Sequence, residues 1–132
     1  APSWEEWDAT HLSSCRIVAR SESDATIAWA ALSAVSRRYA YRGVAEVSVY
    51  VIESARGAGL GRVLLEALIS CSERHGIWTL QAGILAENEA SLELHRRCGF
   101  RVVGRRERIG QLNNAWRDII LMERRSRVVG VE

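Results

Sequence analysis

The sequence predicts a single α/β domain, spanning residues 1–132, built on a mixed and mostly antiparallel sheet. Three observations point there. The chain has 132 residues, the length of one domain and enough to bury a core of its own. Its apolar residues change from a period of two to a helical period and back again along the sequence. The resulting order of three strands, a helix, a strand, a helix and two strands mixes hairpins with crossovers, so both pairing directions are expected in one sheet.

The elements follow in turn. Trp4, Trp7, His11 and Leu12 stand at helical spacing behind a Ser3 that can cap, with Glu5 and Glu6 in the first turn, and predict a short helix over 4–12. Segments 16–20 and 26–33 are β-rich and flank the turn formers Ser21-Glu22-Ser23-Asp24, a hairpin pattern. Segment 44–52 is the strongest strand in the chain, dense in β-branched residues. Leu60, Leu64, Leu68 and Cys71 form the apolar stripe of an amphipathic helix over 60–74, ended by Gly76. Segment 77–85 is a further strand. A second helix opens at Asn88 or Glu89 and closes at Cys98-Gly99, and strands over 100–108 and 117–124 complete the chain. No repeat or linker divides it.

Composition excludes several classes. With 48% hydrophobic and 26% charged residues, ten Gly and one Pro, the chain is not collagenous, disordered or of low complexity. No apolar run approaches the ~18 residues of a membrane span, and the first residues lack the basic and apolar regions of a signal peptide. The expectation is a cytoplasmic protein without membrane contact. Eighteen basic residues against sixteen acidic ones leave +2, dispersed along the chain, which does not call for nucleic acid. All eighteen are arginine, a bias to which no function is attached. Cys15, Cys71 and Cys98 are odd in number, lack a C-x-x-C spacing and sit among apolar residues. They are expected to be reduced core thiols, forming neither a disulfide framework nor a zinc site, and no metal is expected elsewhere.

Between the strand ending at Ile52 and the helix beginning near Leu60 lies Arg56-Gly57-Ala58-Gly59-Leu60-Gly61. A glycine-rich turn leading into a helix offers free backbone N–H groups at the positive end of the helix dipole, an arrangement that binds phosphate. Missing Cβ atoms let the anion approach, and Arg56 can add a charge-assisted contact. Two other phosphate loops are excluded. A Walker loop ends in Lys-Ser or Lys-Thr, and the chain has no lysine; the dinucleotide fingerprint G-x-G-x-x-G fails at Arg62.

Arg56, Gly59 and Gly61, set between a strand and an amphipathic helix, resemble the acetyl-CoA pyrophosphate loop of the GNAT N-acetyltransferase superfamily. Asn88, followed by a helix that closes in Leu94-His95-Arg96-Arg97-Cys98-Gly99-Phe100, is similar to that superfamily's asparagine and its last helix. Within it, the strand around Glu46, the Leu94-His95 pair and Trp116-Arg117-Asp118 resemble the phosphinothricin and methionine sulfoximine acetyltransferases. Two departures stand out. The superfamily's usual first strand and helix have no counterpart before Trp4, so the resemblance implies an N-terminally truncated domain with part of its acceptor pocket missing. The stretch Gln111-Leu112-Asn113-Asn114-Ala115 also lacks the lysine that many relatives carry before the final tryptophan.

The resemblance implies an enzyme that transfers acetyl from acetyl-CoA to the amine of a small amino acid of the phosphinothricin or methionine sulfoximine kind. Alternation in strand 44–52 places Glu46, Ser48 and Tyr50 on one face. By itself such a carboxylate reads as solvated or paired with an arginine; by resemblance Glu46 is the general base, acting directly or through a water. His95, near the seam of its helix, reads by itself as a packing residue and by resemblance as general acid or as partner of Glu46. His11 and His75 are expected to be surface or packing residues. The backbone of Val49, Tyr50 and Val51, splayed from strand 77–85, would hold the pantetheine arm and stabilise the oxyanion. Loop residues 56–61, Arg56 with Gly57, Ala58, Gly59, Leu60 and Gly61, would hold the pyrophosphate, while Asn88 and Ser91 would also contact the arm. Arg38 and Tyr41 match positions near the acceptor; on their own they read as a solvated turn. The superfamily often forms homodimers, so a homodimer is compatible with the resemblance. The rival reading is a CoA-binding or partner-binding domain without catalysis, or an acetyltransferase acting on a peptide or another amine.

Overall fold

The computed structural model describes residues 2–132. Six strands, β1 (Ile17–Arg20), β2 (Thr26–Ala34), β3 (Val44–Val51), β4 (Thr79–Leu85), β5 (Arg101–Leu112) and β6 (Ala115–Arg125), form one sheet in the order β1-β2-β3-β4-β6-β5. Every neighbouring pair is antiparallel except β3 with β4. The mixed sheet expected from the element order is therefore present.

Helix α1 (Trp4–Thr10) starts as its sequence predicts. Ser3 Oγ accepts from the Glu6 N–H and the Glu6 carboxylate accepts from the Ser3 N–H, a reciprocal capping box. It stops two residues earlier than expected because the Leu12 N–H donates to the Leu32 carbonyl at 2.8 Å, which draws the chain onto β2. Trp7 stacks on His11 and meets the Trp29 ring edge-on.

Helix α2 (Leu60–Arg74) buries Leu64, Leu65, Leu68 and Ile69 against the apolar side of the sheet, where Ala28, Ala30, Leu32, Ala45 and Val47 are buried with them. Each large side chain so removed from water contributes about 1.5–3 kcal/mol, so the stripe alone accounts for the docking of α2. Helix α3 (Glu89–Arg97) lies beside α2: a Cβ on Gly61 would come within 3.4 Å of Leu94 Cδ2.

Strand β4 begins at Thr79 rather than at residue 77. The Trp78 N–H donates to the Gly43 carbonyl at 2.8 Å, and the Trp78 ring lies where a Cβ on Gly43 would be, 2.1 Å from it. Only glycine permits that approach. Strand β5 runs four residues further than expected. Asn113 and Asn114 both have positive φ, 54° and 62°, and close a two-residue hairpin turn into β6 in a segment whose exposed residues give no alternation to read.

One expectation is overturned. Cys15 and Cys71 are joined by a disulfide, with Cα atoms 5.7 Å apart and a sequence separation of 56. Cys98 alone is a free thiol, half-buried. The pairing is tertiary: α2 crosses the sheet and brings its last turn against the residue that leads into β1, a meeting that no local spacing announces. Among the described residues, no helix is long and apolar enough to cross a membrane.

Candidate functional site

The parallel pairing of β3 with β4 lasts for three residues, Val44 to Glu46 against Thr79 to Gln81. Beyond it β3 pairs only with β2, and β4 continues along β6. The two strands diverge, and a cleft of about 680 Å³ opens between them. It is lined by Glu46 and the β3 segment 47–51, by Ala82, Gly83 and Ile84 of β4, by the glycine loop, and by Asn88, Ser91, Leu94 and His95.

At one end lies the loop. Gly57 and Gly59 have φ of +87° and +82°, a left-handed backbone that favours glycine. A Cβ on either would meet nothing within 4 Å, so the space beside them is open. Gly59 is the N-cap of α2, no side chain caps that helix end, and no acidic residue stands in its first turn. Its first N–H groups therefore have no partner within the helix and form the positive end of its dipole. This cradle fits a pyrophosphate. Gly61 differs from the other two: its φ is ordinary, and a Cβ there would make an ordinary contact with Leu94. Arg56 is exposed, and its Nε donates to the Val51 carbonyl at 3.0 Å, leaving the rest of the guanidinium for an anion.

Glu46 and His95 meet at the same cleft. Glu46 is half-buried, and its Oε1 accepts from Gln81 Nε2 at 3.0 Å across the last rung of the parallel pair. His95 is 6% exposed. Its Nδ1 lies 2.7 Å from the Ser91 carbonyl oxygen, which can only accept, so Nδ1 carries the proton and Nε2 the lone pair. Phe100 meets the ring edge-on. Burial pulls the imidazole below its ordinary pKa, partly offset by the bond to Ser91.

The other expected residues are distributed unevenly. Val49, Tyr50, Val51, Arg56, Gly57, Gly59, Leu60, Gly61, Asn88 and Ser91 line the cleft, and Ala58 does not. Asn88 is the N-cap of α3, its Oδ1 accepting from the Ser91 N–H at 3.1 Å, so part of its polar capacity is structural. Arg38 and Tyr41 are exposed on the short 3-10 turn that precedes β3 and do not line the cleft. Asp118 accepts from Arg105 Nε at 2.6 Å and from the Arg108 N–H at 2.7 Å, which fastens the irregular stretch of β5 to β6. Residues missed in the sequence include Ser48, whose alternation with Glu46 was available as a signal, and Gln81, visible only once the β3–β4 register is known. Trp29 stands opposite Tyr50 on β2, the rings 6.2 Å apart and stacked, but does not line the cleft.

The chain matches the acetyltransferase (GNAT) domain over residues 6–121. It is 42% identical over 83 residues to the L-methionine sulfoximine/L-methionine sulfone acetyltransferase of Pseudomonas aeruginosa, a match covering 63% of this chain and 48% of that protein. The chain thus spans about half the length of that relative. A phosphinothricin acetyltransferase from Sinorhizobium meliloti, solved in complex with AcCoA, superposes with a TM-score of 0.83 at 32% identity, covering 89% of this chain and 63% of that one. A ribosomal-protein-alanine N-acetyltransferase from Brucella melitensis superposes with a TM-score of 0.79 at 36% identity, covering 83% and 67%.

Proposed function

The chain belongs to the GNAT acetyltransferase family, and from that premise we propose that it is an enzyme, one domain over residues 1–132, which moves the acetyl group of acetyl-CoA to the amine of a small amino acid of the methionine sulfoximine or phosphinothricin kind. The observation that carries this reading is the divergence of β3 from β4 after Glu46, which exposes unpaired backbone beside a carboxylate and ends at an uncapped helix N-terminus. A thioester with a long polar arm and a pyrophosphate fits such a cleft along its length.

The bound acetyl-CoA supplies an activated acetyl thioester; the chain's residues supply the rest. Loop 56–61 holds the pyrophosphate through the first N–H groups of α2 and the guanidinium of Arg56. The backbone of Val49 to Val51, with Asn88 and Ser91, holds the arm, and an N–H of that segment faces the oxygen on which negative charge collects. Glu46, steadied by Gln81, takes a proton from the acceptor ammonium, directly or through one water. His95 would take at Nε2 the second proton of the attacking nitrogen and pass it to the departing thiolate, a hand-over that burial eases by disfavouring the imidazolium. Arg38 and Tyr41, outside the cleft on the turn before β3, would meet the acceptor's carboxylate only where it projects past the Glu46 end. No metal takes part.

The setting proposed is the cytoplasm and the assembly a homodimer. Sedimentation equilibrium at micromolar concentration tests the second, and a single 14.7 kDa species excludes it. The activity is tested by steady-state acetylation of methionine sulfoximine against spermidine, an aminoglycoside and a peptide bearing an N-terminal alanine. The peptide arm represents a second reading, favoured by the likeness to the Brucella enzyme. Preference for methionine sulfoximine is expected; preference for another acceptor overturns the amino-acid reading, and absence of turnover with intact CoA binding supports a non-catalytic domain.

A further inference from the structure

The far end of α2 carries a second cluster of reactive side chains. Cys71 and His75 lie one turn apart at its C-terminal end, and Cys15 approaches them from the residue before β1. His75 Nδ1 is 3.5 Å from Cys15 Sγ and 3.7 Å from Cys71 Sγ. All three ligand atoms lie within 4.8 Å of one another, the only such grouping of metal-ligating side chains among the described residues. The cleft is at the other end of α2, about 22 Å away along fifteen residues of helix.

We propose that the reduced form of this cluster is a binding site for a thiophilic divalent cation of the zinc type. Zinc–sulfur and zinc–nitrogen bonds of about 2.3 and 2.0–2.1 Å at tetrahedral angles set sulfur and nitrogen about 3.6 Å apart, and both sulfur-to-Nδ1 separations already have that value within 0.1 Å or so. Once the S–S bond is broken, the sulfurs need only open to about 3.8 Å to complete a tripod. The ring must give up its contact with the Cys71 carbonyl, 2.9 Å from Nδ1. That carbonyl keeps the bond it accepts from the His75 N–H, so no backbone group is orphaned. Position also favours a cation, since the carbonyl end of α2 carries the negative end of its dipole. His75 is exposed and Cys71 half-buried, which leaves an access path and a fourth position for water, while Cys15 is buried and anchors the site to the sheet.

The disulfide and the cation exclude one another. A dithiol reductant breaks the Cys15–Cys71 bond, two S–H groups form, and the reductant leaves as its own disulfide; the cation then displaces both protons and binds two thiolates and a neutral imidazole. The site is therefore open in a reducing compartment and closed by a two-electron thiol oxidant.

Cobalt(II) is the probe. The full chain is reduced, freed of reductant under nitrogen and titrated with Co²⁺. The expected result is one equivalent bound with a thiolate-to-cobalt charge-transfer band, displaced by one equivalent of Zn²⁺, absent from the oxidised chain and from Cys71→Ser, and unchanged in Cys98→Ser. His75→Ala, a change at an exposed side chain, should weaken cobalt binding and diminish the tetrahedral visible bands. No charge-transfer band in the reduced chain, a band that survives Cys71→Ser, or unaltered affinity in His75→Ala overturns the site.

Discussion

At the scale of single residues, the cleft separates two titratable groups by environment. Glu46 is half-buried and hydrogen-bonded to one amide, whereas His95 is buried with Nδ1–H committed to a backbone carbonyl. If Glu46 removes the acceptor's proton, Glu46→Gln keeps the size and the contact with Gln81 yet loses the basicity, so kcat should fall by about 10²- to 10⁴-fold with acetyl-CoA affinity retained. Stopped-flow or steady-state rates beside calorimetric CoA binding check this; a loss confined to CoA binding would make the carboxylate structural. For His95 the sign of the pH effect follows from its lowered pKa. The unfolded chain takes up that proton near pH ~6.5 and the folded one only at lower pH, so stability is whole above ~6.5 and declines as pH falls through the interval down to the folded value. His95→Phe should flatten that interval in urea titrations at several pH values, and should also remove an acidic limb below pH ~6.5 from the residual rate. Alternation puts Glu46 on one face of its strand, where by itself it reads as solvated or paired with an arginine; only the resemblance gives the carboxylate a role as base. The tautomer of His95 was not legible, since it depends on the Ser91 carbonyl four residues back in a helix whose burial the sequence left at the seam.

At the scale of elements, the loop and α2 act together. The strand–glycine–helix pattern was legible because each part has a local cause: β-branching in β3, left-handed φ at Gly57 and Gly59, an apolar stripe in α2. What the sequence did not separate is the task of each glycine, since Gly59 is demanded by its left-handed φ, whereas at Gly61 a Cβ would make only an ordinary contact with Leu94. The two substitutions should therefore differ. Gly59→Val forces a branched residue into a left-handed backbone, a cost on the order of 1–3 kcal/mol, and crowds the first N–H groups of α2, so CoA affinity and stability should fall together. Gly61→Ala meets only a flexible leucine end and should leave stability nearly unchanged. Arg56→Ala should weaken CoA binding without moving the melting temperature, and the deficit should shrink at high salt. Undiminished CoA affinity in a folded Gly59→Val chain would remove the pyrophosphate from this loop. The β5–β6 hairpin was the least legible part of the sheet. Its long exposed strand has no buried face to impose a period of two, and its bulge is fixed by Asp118 from the partner strand.

At the scale of the whole molecule, the sheet order follows from connections that the sequence displays, whereas the covalent tie across it does not. The sheet carries a crossover at α2 and another at α3, and α2 runs from the glycine loop to the residue that leads into β1. A bond between Cys15 and Cys71 therefore closes a loop of 56 residues that contains β1, β2, β3 and most of α2. In the unfolded chain such a closure removes about 4 kcal/mol of conformational freedom on the chain-entropy account, a large part of the stability of a domain this size. Reduction should thus lower the urea midpoint markedly, and Cys15→Ser with Cys71→Ser should match the reduced chain while losing any further response to reductant. The measurement is paired urea titrations of both chains with and without a thiol reductant. Equal midpoints for the oxidised and reduced natural chain would show that the tie contributes nothing to stability. A midpoint for the reduced chain that recovers on adding one equivalent of Zn²⁺, but not in the double serine variant, would show the cation replacing the covalent tie at the same place in the fold.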